Sequence, residues 1–335
     1  MKILITGASG FIGSFLVEGG LQRGHEVWAA VRKGSRTDYL TDRRIHLIEL
    51  DFENKDSLSS SLERFKTKKG SFDVVIHAAG ATKCIKREQF FKNNTLVTKN
   101  LVESLRDNNM LPVQFIFLST LGVFGPAKEK FPYTPIVDTD EKCPNTFYGK
   151  SKLETEDFLK SIPELGWLIL RPTGVYGPRE KDYYLMTKVV KLKIDLSAGF
   201  SSQCITFVYV KDLVKAVYLA VDKGITHKAY FVTDGNSYSS SSFSDQIAHE
   251  MGNRRLLHIK VPLFLVRIIS VVIGGLASLL GCSFTLNKDK YHILCQRNWL
   301  CNITPLRQDL GFEADYSLQS GVKETIRWYI DHHWL

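Results

Sequence analysis

Residues 2–16 read KILITGASGFIGSFL, an apolar run followed by Gly7, Gly10 and Gly13 at intervals of three. KILIT shows no apolar–polar alternation, which suits a parallel strand buried on both faces. FIGSFLVEGGLQRG (11–24) then reads as a helix. A turn between a buried strand and a helix must bend sharply, pass close to neighbouring backbone and let the helix pack on the strand. Glycine serves all three needs. The amides at such a helix start, here around Phe11 and Ile12, favour an anion, so the turn is expected to cradle a dinucleotide pyrophosphate.

Working outward, HEVWAAVR (25–32), IHLIEL (45–50), FDVVIHAA (72–79), VQFIFLST (113–120) and WLILRP (167–172) read as five more strands. Helical stretches at about 88–109 and 146–161 fall between them. Strands alternating with helices predict an α/β fold built on a doubly wound parallel sheet. From about Arg179 the alternation becomes irregular, which predicts a smaller second domain, and ITFVYVKDLVKAVYLAV (205–221) reads as a return to the sheet. The expected division is 1–178, with 203–233 returning to it, against a substrate-binding part formed by 179–202 and 234–335. The serine run SYSSSSFS (237–244) reads as a turn capping a helix that runs to Gly252.

A chain of 335 residues with a net charge of +9 raises the question of nucleic acid, but its basic residues are scattered and not interleaved with aromatics. A solvated face is the reading, with no nucleic-acid partner. The six cysteines form no CxxC pair and no zinc-like spacing with histidine, so no metal is expected and the thiols read as those of a reduced, cytoplasmic protein. The first strand pattern begins at residue 2, which leaves no room for a signal peptide. VPLFLVRIISVVIGGLASLLGC (261–282) is largely apolar, but Arg267, Ser270, Ser278 and three glycines interrupt it. It reads as a buried or substrate-lining helix rather than a spanning one, with peripheral rest on a membrane surface left open.

The end of the second strand decides the nucleotide. An acidic side chain there would hold the ribose hydroxyls of NAD, whereas this chain places Arg32 and Lys33 after Val31. A guanidinium can pair with a 2′-phosphate, so NADP(H) is expected in preference to NAD(H). In YGKSK, Tyr148 and Lys152 stand one helical turn apart and can face one cleft. An adjacent ammonium is expected to lower the phenol's pKa towards neutrality. Thr120, at the carboxyl end of the fifth predicted strand, adds a hydroxyl that can hold a substrate oxygen while Tyr148 moves the proton.

TGASGFIG, HAAG (77–80), FLSTLGVFG, YGKSK and RPTGVYGP (171–178) occur in the order seen in the extended short-chain dehydrogenase/reductases, which the chain resembles over most of its length. That resemblance implies a Rossmann sheet with a smaller C-terminal α/β substrate domain, and it implies the catalytic set Thr120, Tyr148 and Lys152. It further implies that Asp51 and Phe52 meet the adenine, that Ala78, Ala79 and Gly80 line the cofactor, and that the Pro172–Val175 backbone approaches the nicotinamide. Asn94 matches an asparagine that either pins a helix or relays a proton. A homodimer through the helices at 88–109 and 146–161 is likewise implied.

The departures choose the branch. The family's dehydratases follow the threonine with Asp-Glu, and here Leu121 and Gly122 cannot move a proton. Its nucleotide-sugar epimerases carry an Asn and an Arg where this chain has Gly174 and Ile205, although Arg179 or Lys181 could supply the cation. The expectation is therefore an NADP(H)-dependent ketone/alcohol oxidoreductase, similar to the branch of dihydroflavonol reductases and 3β-hydroxysteroid dehydrogenases. Its expected substrate is apolar: steroid-, lipid- or long-chain-like. The alternatives are a nucleotide-sugar 4-epimerase and a non-catalytic NADP(H)-sensing protein.

Overall fold

The computed structural model describes residues 1–252, 255–280 and 288–335, with the side chains of 274–280 and 288 left out. In chain order the elements are β1 (Lys2–Thr6), α1 (Phe11–Gln22), β2 (Glu26–Val31), β3 (His46–Glu49), α2 (Lys55–Lys69), β4 (Val74–His77), α3 (Arg87–Phe90), α4 (Val97–Asp107), β5 (Gln114–Leu118), α5 (Phe147–Lys160), β6 (Trp167–Pro172) and β7 (Gly174–Tyr176). There follow α6 (Lys181–Lys191), β8 (Ile194–Ala198), β9 (Phe207–Tyr209), α7 (Val210–Lys223), β10 (Lys228–Val232), α8 (Ser242–Glu250), β11 (Leu257–Val261), α9 (Leu263–Leu280), α10 (Lys288–Cys295), α11 (Thr304–Leu310) and α12 (Leu318–Asp331).

Seven strands form one sheet in the order β10-β6-β5-β4-β1-β2-β3, and every pairing in it is parallel. The order reverses between β1 and β4, and ligands bind at the carboxyl edge of such a switch point. Apolar side chains from both faces of β1, β4, β5 and β6 enter two cores, one beneath α1 and α7 and the other beneath α2 and α4. That two-sided burial is why these strands read as continuous apolar runs. All six strands expected from the sequence are present, and β10, within the 203–233 segment expected to return, is the seventh strand of the sheet.

The strand that rejoins the sheet after residue 178 is β10, which extends the edge beside β6. Within 205–221, β9 pairs with β7 in a separate two-stranded sheet and α7 packs on α1. A second small sheet joins β8 to β11 in parallel. The helix after the serine run ends at Glu250, just short of Gly252.

The apolar segment departs from its expectation. Among the described side chains of α9 only Val266 and Ser270 are buried, while Phe264, Ile268, Val271 and Val272 are exposed, and none of them lines the main cavity. The sequence signal was apolar composition, and composition does not say which surface covers a helix. Residues 281–282 of the segment lie outside the described residues. Among the described residues no helix is long and apolar enough to cross a membrane.

Candidate active site

Gly7 turns the chain at the end of β1 with φ of +67°, and a Cβ there would lie 2.8 Å from the Ala79 nitrogen. At Gly13 a Cβ would fall 1.9 Å from the Gly7 carbonyl oxygen. Both glycines are therefore dictated by backbone approach, the first also by its left-handed φ. Thr6 secures the neighbouring strand end: its Oγ1 accepts from Ala79 N at 3.2 Å and meets the buried His77 Nδ1 at 2.8 Å. Gly10 begins α1 with no side-chain cap, so the opening amides of that helix are left for an anion. This uncapped glycine cradle fits the pyrophosphate of a dinucleotide.

One cavity of about 1010 Å³ runs from this turn along the carboxyl edge of the sheet. Gly7, Gly10, Phe11, Ile12, Gly13, Arg32, Phe52, Ala78, Ala79, Gly80, Thr120, Tyr148, Lys152, Pro172 and Val175 all line it. Lys33 and Asp51 stand outside this wall and are exposed. Lys33 lies beyond the β2 end, in a turn closed by Arg32 N donating to Ser35 Oγ at 3.1 Å. The Asp51 carboxylate accepts from Glu53 N at 3.1 Å, a turn that leaves Phe52 and Glu53 on the wall instead.

The candidate reactive groups sit on two adjoining elements. Thr120 follows β5, and its Oγ1 caps the next short turn by accepting from Gly122 N at 3.1 Å. Thr146 caps α5 by accepting from Gly149 N at 2.9 Å, which sets Tyr148 and Lys152 in the first turns of that helix. The Tyr148 amide also donates to Asp289 Oδ2 at 3.1 Å, tying the helix start to α10. Lys152 is buried, donates to the Leu118 carbonyl at 2.8 Å and lies 4.5 Å from the centre of the Phe117 ring.

Burial governs the titration of both groups. It pushes the Lys152 ammonium down to about 7, against an opposing pull from Glu156. It also raises the Tyr148 phenol above its ordinary value. The expected lowering of the phenol by the ammonium is thus absent from this arrangement: desolvation acts on each group, and the ammonium is directed to a carbonyl. His77, buried beside Lys152, is pushed down to about 3 by desolvation and then by the lysine charge.

Asn94 engages both its amide hydrogens and its oxygen. Its Oδ1 accepts from Ala81 N at 2.7 Å, and its Nδ2 donates to Ala81 O at 3.1 Å and to Ser151 Oγ at 2.9 Å. The side chain therefore clamps the segment after β4 to α5. Gly80 is wedged into this clamp, since a Cβ would meet Asn94 Oδ1 at 3.0 Å and Lys152 Nζ at 3.1 Å.

The other end of the cavity is built by residues the sequence reading did not single out, from α6, β8, α10 and the loop around Trp299. Tyr183, Met186, Val189, Leu196, Ile293, Leu294 and Trp299 make it predominantly apolar, and Ile205 adds to it. Gly174 is held to glycine here, because a Cβ would strike the Tyr183 hydroxyl at 2.6 Å and the Phe207 ring at 3.1 Å. Two of its acidic members are engaged: Glu180 caps α6 by accepting from Tyr183 N at 2.6 Å, and Asp182 pairs with Lys83. Among the described residues Arg32 is the single arginine of the cavity wall. Arg179 is directed away from it, with Nη1 donating to Ser14 Oγ at 2.8 Å and Nη2 to Glu18 Oε1 at 2.7 Å. Lys181 is exposed and also off the wall. Leu121, after the threonine, is buried in an apolar cluster with Phe124 and Phe231.

Comparison with known proteins places this geometry. The chain is 24% identical over 341 residues to the sterol-4-alpha-carboxylate 3-dehydrogenase, decarboxylating, of Dictyostelium discoideum, covering 96% of this chain and 99% of that one. It is 25% identical over 342 residues to a UDP-glucose 4-epimerase of Vibrio cholerae, covering 98% and 95%. The crystal structure of a UDP-glucuronic acid 4-epimerase from Bacillus cereus in complex with NAD superposes with a TM-score of 0.75 at 20% identity, covering 99% of this chain and 100% of that one. Residues 3–232 match the model of the NAD dependent epimerase/dehydratase family. With its glycine cradle, its Thr-Tyr-Lys set and that match over most of its length, the chain belongs to the NAD dependent epimerase/dehydratase family and is an enzyme that uses a nicotinamide dinucleotide.

Proposed function

We propose that the protein is an NADP(H)-dependent oxidoreductase that interconverts a ketone and a secondary alcohol on an apolar, steroid-, lipid- or long-chain-like substrate. The observation that carries this reading is the single cavity whose one end is the glycine cradle with Thr120, Tyr148 and Lys152, and whose other end is apolar and aromatic. When bound, the nicotinamide cofactor supplies the hydride. The chain's own residues do the rest. Thr120 and Tyr148 hold the substrate oxygen, and the Tyr148 hydroxyl delivers the proton to it. Burial keeps that phenol protonated at neutral pH, the state a proton donor to a ketone requires. Gly7, Gly10, Phe11, Ile12 and Gly13 hold the pyrophosphate, Arg32 takes the 2′-phosphate, and Lys152 holds the ribose. Residues 179–202 and 234–335 form the substrate-binding part, and the working unit is a cytoplasmic homodimer.

The second reading is a nucleotide-sugar 4-epimerase. Lys290 favours it, as a cation on the wall of the substrate end. The two readings separate on net cofactor change. NADPH oxidation is followed with steroid, long-chain keto and aromatic ketones in the wild type and in Tyr148→Phe, alongside product analysis with UDP-sugars. Turnover of an apolar ketone that Tyr148→Phe loses, with NADPH affinity retained, supports the reductase. Conversion of a UDP-sugar alone, with no NADPH consumed, replaces it with the epimerase. Tight NADPH binding with no turnover of any substrate class leaves the cofactor-sensing alternative.

A further inference from the structure

The described part of the chain carries an apolar surface that no other described residue covers. In the small parallel sheet, Ile194, Leu196 and Ala198 stand directly across from Leu257, Ile259 and Val261, so one face of it is wholly apolar. The other face carries Asp195 across from His258 and Ser197 across from Lys260. The apolar face is open: Leu257 is 62% exposed and Leu196 57%. It continues into α9, because Leu263 of that helix packs over Gly199 at the end of β8. Among the described side chains of α9, Val266 and Ser270 are the buried positions, while Phe264, Ile268, Val271 and Val272 lie exposed about 120–180° around the helix from their midline at 100° per residue. A helix that is apolar on its outward side as well as its inward one is normally covered.

The charge of the 251–288 stretch is one-sided, the carboxylates of Asp195 and Asp245 meeting His258 on the other face of the sheet. From residue 251 to residue 288 the chain contains no aspartate or glutamate, while it has Arg254, Arg255, Lys260, Arg267 and Lys288. Arg255, Lys260 and Arg267 are exposed, as are Lys191 and Lys193 at the start of β8. Lys193 directly precedes Ile194, the first position of that face. Two copies of such a face would bring cations against cations. An anionic lipid surface supplies both an apolar layer for the exposed leucine, isoleucine, valine and phenylalanine side chains and negative headgroups for the flanking lysines and arginines.

We propose that this face, made by β8, β11 and the outward side of α9, docks the protein on an anionic lipid bilayer. The docked face adjoins the substrate end of the cavity, whose wall takes in β8 from Ile194 to Ala198, Asp195 and Ser197 included. A substrate dissolved in the bilayer would then enter along β8 without crossing water. That last step rests on the apolar-ketone reading; the docking does not.

Flotation of the full chain with vesicles tests it. Vesicles of phosphatidylglycerol and phosphatidylcholine in equal parts are compared with phosphatidylcholine alone, using the wild type, F264E/I268E/V271E and R255E/R267E. The wild type is expected to float with the anionic vesicles and roughly tenfold less with the neutral ones, and each variant to lose roughly tenfold on the anionic vesicles. Added salt should weaken the wild-type binding. Reduction of a short, water-soluble ketone should be unchanged in both variants, whose substituted side chains lie off the cavity wall. Wild-type protein that stays unbound with both vesicle types overturns the proposal, as does flotation undiminished in the triple variant. A dimer in sedimentation analysis that the triple variant disperses, with no flotation, assigns the face to a second copy instead and also overturns it. Flotation of a wild type that reduces no ketone would sustain the docking and sink the reductase reading.

Discussion

Glu156 and Arg171 meet as a doubly hydrogen-bonded ion pair with neither side chain reaching solvent: Nε donates to Oε1 at 2.9 Å and Nη2 to Oε2 at 2.7 Å. Ser119, next to Thr120, donates to the same Oε1 at 2.6 Å, so the pair ties the end of β5 to α5 and β6 one residue from Thr120. Glu156→Gln would leave the Arg171 charge buried, with only the partly exposed Asp138 against it. Removing one partner of a buried pair costs about 3–5 kcal/mol. Urea unfolding of this variant is expected to show a loss in that range, and a loss below about 1 kcal/mol would mean that water reaches the arginine.

Arg32 leaves the end of β2 exposed and on the cavity wall, the place where a 2′-phosphate would lie. A charge-assisted hydrogen bond there is worth about 1.5–3 kcal/mol, or roughly 10- to 150-fold in affinity. Arg32→Ala is expected to weaken NADPH by that factor and to leave NADH within about twofold. Fluorescence titration of both cofactors reads the difference. Equal losses for the two cofactors would remove the argument for NADP(H).

Gly13→Ala places a methyl group 1.9 Å from the Gly7 oxygen and 2.6 Å from the Gly7 carbonyl carbon, both backbone atoms of the cradle. Neither can swing aside like a side chain, so α1 must move away from the β1 turn. Loss of dinucleotide binding by roughly tenfold or more is expected, with far-UV circular dichroism that of the wild type, because the other strands of the sheet do not depend on this contact. Retained binding would show that the cradle is looser than its geometry.

The near end of the site was legible because its signals are local. Gly7, Gly10 and Gly13 announce a turn whose contacts lie within a few residues, and Tyr148 and Lys152 announce a helix face by their spacing alone. Arg32 and Phe52 fall on the wall because each follows a strand directly, whereas Lys33 and Asp51, one position away from them, turn outward through loop hydrogen bonds that no periodicity records. The substrate end was illegible for a different reason. Tyr183, Leu196, Ile293 and Trp299 are brought together by contacts across more than a hundred residues, and none belongs to a motif. The exposure of α9 was hidden in the same way, since an apolar run reads alike whether core, cavity or lipid covers it. Nor did the sequence show that Lys152 would be dry enough to lose its ordinary basicity.

That dryness makes a prediction for the cofactor-free protein. Lys152 titrates at 10.5 in the unfolded chain and at about 7 in the fold, pushed down first by burial. Between these values the unfolded state binds more protons, so stability rises with pH across the window. The penalty is complete below about 7 and disappears above 10.5, with a limiting slope of about 1.4 kcal/mol per pH unit. Lys152→Met removes the titrating group while keeping most of its apolar stem. Urea unfolding of wild type and variant at about pH 6.5, 8 and 9.5 isolates the effect, because every other titrating group is common to both. The variant is expected to be the more stable at the lowest pH, and its advantage should shrink by about 1 kcal/mol or more at each step upward. An advantage that stays constant with pH would mean that Lys152 remains charged where it sits, held by Glu156 and the Leu118 carbonyl against its burial.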